Sequence, residues 1–257
     1  MTNWKEMPAW QHLQKYRPLL YELVVRDLKV KYRRSFLGYL WSLLNPLLMM
    51  AVMSFVFSYI FRYDIENYPL YLICGQTLWG FFNESTNMAM YSVLQNGSLI
   101  KKVYIPKFIF PMSRVFSSFV TMSFSLGAIL IVMLVTRAPL HWQLLLFPLP
   151  LILLLLFAMG VSMVLSSLSV YFRDVTHLYG VVTLAWMYVT PVFYPVSALP
   201  DEVAWVLKLN PMYYYLDNFR QLVLYGSLPT AKSWCICLLC SGVALAVGLA
   251  VFRKLQR

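Results

Sequence analysis

Apolar runs of nearly constant length alternate with short, basic, polar stretches along this chain. Six such runs can be read, over residues 37–61, 68–93, 108–135, 144–170, 175–193 and 234–252. Each is close to the roughly 20 residues that an α-helix needs to cross about 30 Å of hydrocarbon. The first run holds 25 residues without a charge, and the stretch before it has a different rhythm. Leu20, Leu23, Val24, Leu28 and Tyr32 share one helical arc and Arg26, Lys29 and Arg33 the opposite one, while Asp27 and Lys31 intrude on the apolar side. An apolar face backed by cations suits a helix lying in the headgroup plane. It also suits a soluble core helix with a solvated side; the unbroken continuation into residues 37–61 favours the membrane surface. The pattern predicts an all-α membrane protein: six transmembrane helices, an N-terminal amphipathic interface helix over residues 19–36, and one domain over residues 1–257.

Irregularities within the runs carry more information. Asn45-Pro46 interrupts the first span of the 37–93 pair, where proline removes a backbone donor and predicts a kink. In the second, Gln76, Gly80, Asn83, Glu84, Asn87 and Tyr91 recur at nearly helical spacing, a polar stripe that must face other helices or water. A carboxylate inside a span is a functional candidate by default. Glu84 lies at a depth similar to Arg114 of the third span, which suggests an intramembrane ion pair, with a proton relay as the alternative. Residues 94–107 contain a turn at Asn96-Gly97, a short apolar and basic helix, and Pro106 as a stop. They read either as an interfacial linker or as a docking element. Within the 108–193 group, the fourth and fifth spans are joined only by residues 171–174 and are expected to lie antiparallel. Residues 194–232 hold two short amphipathic helices, one starting after Pro200 and one at Asn210-Pro211. They predict a re-entrant or interfacial hairpin on the outer face, whose tyrosines serve equally well as an aromatic belt. Residues 233–257 supply the sixth span and a basic tail.

Composition agrees. Sixty percent hydrophobic and 12% charged residues lie outside the range of a soluble domain. A net charge of +11 invites a nucleic-acid reading, but its distribution argues against one. With the N-terminus in the cytoplasm, 15 Lys and Arg fall on the inner side and 5 on the outer, with Arg114 inside a span. This asymmetry orients both termini to the cytoplasm. No cleavable secretory signal is expected. Cys74, Cys235, Cys237 and Cys240 sit in apolar runs without nearby histidines, so neither disulfides nor a zinc site is expected.

Catalytic chemistry is hard to assemble. His12, His141 and His177 are scattered, and no nucleophile lies beside a base in a known motif. No catalytic, cofactor-binding or metal-binding residues are assigned. There is no GxxxxGK[ST] phosphate loop, so work against a gradient requires energy from another subunit. A membrane-embedded glycan- or lipid-modifying enzyme is the alternative from a different class, disfavoured by the lack of paired acids. A stand-alone channel lacks a visible filter.

Four blocks in order, RDLKVKYRRSFLGYLWSLLNPLL, NGSLIKKVYIPKFIFP, YFRDVTHLYGVVTLAWMYVTPVFYP and NPMYYYLDNFRQ, resemble the permease subunit of bacterial type 2 ABC exporters. These are the proteins that move O-antigen, capsule or teichoic acid chains. The resemblance covers the chain from about residue 19 to its end. It implies a homodimer around a channel, in the inner membrane, with two copies of a cytoplasmic ABC ATPase that bind the ATP and magnesium. The implied cargo is a glycan on a polyprenyl diphosphate lipid, with O-antigen first and capsule or teichoic acid as alternatives. By the same resemblance, Asn96, Gly97, Leu99, Ile100, Lys101 and Lys102 form the helix that docks on the ATPase, and the outer hairpin forms gate helices. A sliding sugar chain needs flat faces that do not impose a hydrogen-bond register. Trp41, Tyr59, Trp79, Phe82, Trp186, Tyr188 and Tyr194 are candidates, each with packing or belt duty as the alternative. Arg26, Lys29, Arg33 and Arg34 are placed for the diphosphate and for membrane lipid headgroups.

Overall fold

The structure, a computed structural model, describes residues 9–33, 35–58, 65–103 and 105–255. Among these, eleven α-helices form and no strand. They are α1 (Ala9–Tyr32), α2 (Trp41–Val56), α3 (Tyr68–Met90), α4 (Ser92–Gln95), α5 (Gly97–Lys102), α6 (Ile109–Val135), α7 (Pro148–Tyr171), α8 (Val175–Val189), α9 (Asp201–Leu209), α10 (Pro211–Val223) and α11 (Ala231–Leu255).

Among the described residues, four segments are long and apolar enough to cross a membrane: Gly38–Val56, Ile109–Val135, Trp142–Tyr171 and Ala231–Leu255. The two remaining expected spans depart from that description for different reasons. Helix α3 has the length, but its polar stripe lowers its hydropathy; it compensates by being the most enclosed helix, with Leu70, Leu72, Ile73, Leu78 and Phe82 at most 1% exposed. Helix α8 is apolar but short, because the chain leaves the helix at Thr190, ahead of Pro191. Fifteen residues at about 1.5 Å each fall short of the hydrocarbon thickness. The expected interface helix over 19–36 is instead Ala9–Tyr32, with Pro18 inside it.

Helices α3, α6 and α7 pack together; α11 lies along α7, α2 lies against α3 and α6, and α1 crosses α6. Lipid tails are as apolar as leucine, so burial alone does not hold such spans together, and close approach and hydrogen bonds must. Both are present. Helices α7 and α11 cross at Gly160 and Gly248, where a Cβ on either would enter the other helix's backbone. Hydroxyls tie neighbours through backbone carbonyls: Ser125 donates to Ser42 at 2.9 Å, Ser169 to Met90 at 2.6 Å and Ser241 to Leu153 at 2.8 Å. Tyr179 of α8 donates to the Thr86 hydroxyl of α3 at 2.7 Å.

The far end of the bundle is locked by α10. Asn210 caps it, accepting from the Met212 amide at 3.0 Å and from the Trp186 indole at 2.8 Å. Arg220, 4% exposed, donates to the carbonyls of Tyr71, Pro191 and Val192 at 2.6–3.2 Å. Its guanidinium lies over the Tyr71 ring, 3.4 Å from the centroid. Gly75 leaves room for it, since a Cβ there would strike the guanidinium.

Candidate functional site

The polar stripe of α3 faces open space. Gln76, Thr77, Gly80 and Glu84 line a groove of about 490 Å³ closed on its sides by α2 and α6. Helix α2 contributes Trp41, Asn45, Pro46 and Met49; α6 contributes Ser118, Thr121 and Ser125. Thr77, buried and lining this groove, and Gln76 each carry a side-chain oxygen without a hydrogen-bond partner. Both oxygens are buried, and a buried polar atom left unpaired is costly.

A second cavity, of about 590 Å³, adjoins the first beside α5. Its walls carry Arg26, Asp27, Lys31, Glu84, Gln95 and Arg114. Among the described residues, only Lys31 and Glu84 line both cavities.

The charges do not pair as expected. Glu84 and Arg114 each take a partner from α1 instead of each other: Lys31 Nζ lies 2.7 Å from Glu84 Oε1, and Arg114 Nη1 lies 3.2 Å from Asp27 Oδ1. The reason is the position of α1 across the end of α6, which brings a third helix to the depth where the two span charges sit. Asp27 and Lys31, the two residues that spoil the apolar arc of α1, are one helical turn apart and reach one span each. Arg26 adds a bond to Asp27 at 3.1 Å and another to the side-chain oxygen of Asn96 at 3.3 Å. Arg114 also donates to Gln95 at 3.1 Å. The two pairs differ in environment: the Asp27 side chain is 3% exposed and that of Arg114 14%, whereas Lys31 and Glu84 are 36% and 34% exposed.

The short helix α5 forms where expected, but its faces are not interchangeable. Leu99 and Ile100 pack inward on Leu23, Ile109 and Phe110, which holds α5 to α1 and α6. Asn96 is buried, bonded to Ser92 and to Arg26. The face left to another molecule is Ser98, Lys101, Lys102 and Val103. Leu99, Ile100 and Asn96, expected to dock on an ATPase, thus make their contacts within the chain.

The candidate aromatics separate as well. Trp41 and Trp79 line the groove. Phe82 and Trp186 do not; they belong to a packed cluster that Trp79 also joins, edge-on to Trp186 at 6.0 Å, with Phe82 stacked on Phe157 at 5.6 Å and Trp186 edge-on to Phe82 at 5.2 Å. Tyr188 is exposed, and its carbonyl accepts from the Tyr194 hydroxyl at 2.8 Å. Arg26, Lys29 and Arg33 are exposed at the α1 end of the molecule, Arg26 at the second cavity. Arg34 and Tyr59 lie outside the described residues.

Sequence reasoning missed Asp27 and Lys31 as partners and Arg220 as a buried group. For the first two the signal was present: opposite charges four residues apart on an otherwise apolar arc.

Known proteins are similar to this chain. The family described as ABC-2 type transporter matches residues 5–224. The chain is 31% identical over 242 residues to the O-antigen export system permease protein RfbA of Klebsiella pneumoniae, covering 93% of this chain and 92% of that one. It is 32% identical over 246 residues to the protein of the same name from Myxococcus xanthus, covering 95% of each. The capsule polysaccharide export inner-membrane protein CtrC of Neisseria meningitidis is 23% identical over 242 residues, 91% of this chain and 90% of that one.

Proposed function

From the premise that this chain belongs to the ABC-2 type transporter family, we propose that it is the permease of an O-antigen exporter, powered by a separate ATPase subunit. The observation that carries the reading is full-length similarity, at 31–32% identity, to permeases named for O-antigen export.

The geometry supports a conduit for sugar. The groove combines aromatic surface at Trp41 and Trp79 with polar side chains at Asn45, Gln76 and Ser118. Flat apolar surfaces hold pyranose rings without fixing them, while scattered acceptors satisfy passing hydroxyls. In this reading the cargo is a glycan on polyprenyl diphosphate, and two copies of the chain join their grooves at the dimer interface. Helices α2, α3, α6, α7, α8 and α11 make six crossings, with α3 shielded by its neighbours and α8 completed by the turn after Thr190. Helix α1 lies at the inner interface, where Arg26, Lys29 and Arg33 meet phosphate, and α9 and α10 form the outer hairpin. Helix α5 offers Lys101 and Lys102 to one of two ATPase copies, which bind the ATP and magnesium. Both termini face the cytoplasm of a bacterial inner membrane.

The test is reconstitution of the chain with its ATPase in vesicles loaded with lipid-linked O-antigen. ATP-dependent appearance of glycan on the far side is expected; transport by the chain without the ATPase, or none with it, refutes the reading. A capsule cargo is the second reading, favoured by the CtrC similarity, and is distinguished by offering both glycans to the same vesicles.

A further inference from the structure

We infer that the Lys31–Glu84 ion pair is a gate that separates the cavity beside α5 from the α2–α3–α6 groove, and that α1 operates it. Three observations carry this. Among the described residues, the two cavities have these two, and no others, in common. The pair is short, at 2.7 Å, yet both side chains are about one third exposed, so water reaches it and the pair contributes little to stability. A contact so weakly stabilising can open and close without cost to the fold. Finally, its two members belong to different elements, Glu84 to the buried span α3 and Lys31 to α1, which is itself tied to the cap of α5 through Arg26 and Asn96 at 3.3 Å.

The neighbouring Asp27–Arg114 pair is different in kind. Its buried members anchor α1 to α6 and form the fulcrum, one turn from Lys31. Displacement of α5 acts on Asn96, is passed to α1 by Arg26, and withdraws Lys31 from Glu84 about the Asp27 anchor. An anionic group in the outer cavity works in the same direction, because it competes with Glu84 for the Lys31 ammonium. This inference rests on the proposed conduit for what passes, but the gate itself is testable without any cargo.

Gly80 lines the groove one turn from Glu84, and a side chain there meets nothing within 4 Å. The full-length Gly80→Cys variant, with its ATPase partner, is placed in sealed membrane vesicles. It is then exposed to a neutral, membrane-impermeant maleimide from the face at which Lys101→Cys reacts. Labelling at position 80 is followed by peptide mass spectrometry. Adding Lys31→Met is expected to accelerate it at least ten-fold. Electrostatics alone predict the reverse sign, since removing the ammonium leaves the Glu84 carboxylate to disfavour the reactive thiolate. The double exchange Lys31→Glu with Glu84→Lys rebuilds the pair and is expected to return the rate to its slow value. A rate unchanged or lowered by Lys31→Met, or already fast with the pair intact, overturns the gate. Should Lys31→Met fail to reach the membrane, Lys31→Gln, whose electrostatic effect has the same sign, is read against the same double exchange: acceleration reversed by the exchange supports the gate, and equal rates refute it. Loss of glycan transport alongside normal labelling behaviour refutes the cargo and leaves the gate standing.

Discussion

Arg220 rests on the face of Tyr71 while donating to that residue's own carbonyl, so one side chain grips α3 by ring and backbone at once. Its remaining donors hold the Pro191 and Val192 carbonyls at the end of α8. Replacing Arg220 with Met leaves buried carbonyls unpaired, and hydrogen bonds to a charged group are worth about 1.5–3 kcal/mol each. A loss of at least about 3 kcal/mol is expected, read as a lowered unfolding temperature of the detergent-solubilised chain. Arg220→Lys is expected to rescue little, because a single ammonium does not reproduce the planar fork.

The two ion pairs of α1 are expected to respond unequally. Asp27→Asn strands the mostly buried Arg114 and is expected to cost about 3–5 kcal/mol, whereas Glu84→Gln costs about 0–1 kcal/mol. Exchanging the charges of Asp27 and Arg114 together should recover membrane accumulation lost in either single reversal. Exchanging those of Glu84 and Arg114 should not. Immunoblotting of membrane fractions checks all of these.

Helix α11 contains an internal control for close packing. Gly248→Ala drives a methyl into the backbone at Gly160, while Gly242 faces open space within the chain. The first substitution is expected to lower the unfolding temperature sharply. The second is expected to leave it unchanged, or to raise it in line with a helix-propensity gain of about 0.5–1 kcal/mol.

For α5, charge reversal on the exposed face separates docking from folding. Lys101→Glu with Lys102→Glu is expected to lower ATPase co-purification several-fold at normal permease levels. Leu99→Asp buries a charge against Leu23 and Phe110 and is expected to reduce the level of the permease itself.

Long apolar helices were legible because length and hydropathy alone define them, and the breaks at residues 171–174 and at Asn210-Pro211 fall where turn chemistry placed them. Partner choice was not legible for Glu84 and Arg114, since counting depth along two helices says nothing of a third laid across them. Trp79 and Phe82 show a second limit. They are three residues apart on one helix, yet one borders the groove and the other is sealed against Phe157. Which of two adjacent rings meets a cavity depends on the neighbouring helices. The burial of Arg220 follows from carbonyls freed where α8 stops, a demand set by backbone and invisible in side-chain pattern.

The alternation of sign on α1 has a further effect during assembly. Were this helix to settle one turn too far in one direction, Lys31 would meet Arg114; one turn too far in the other, Asp27 would meet Glu84. Both slips juxtapose like charges, so the helix recognises its berth by rejection on either side as much as by attraction.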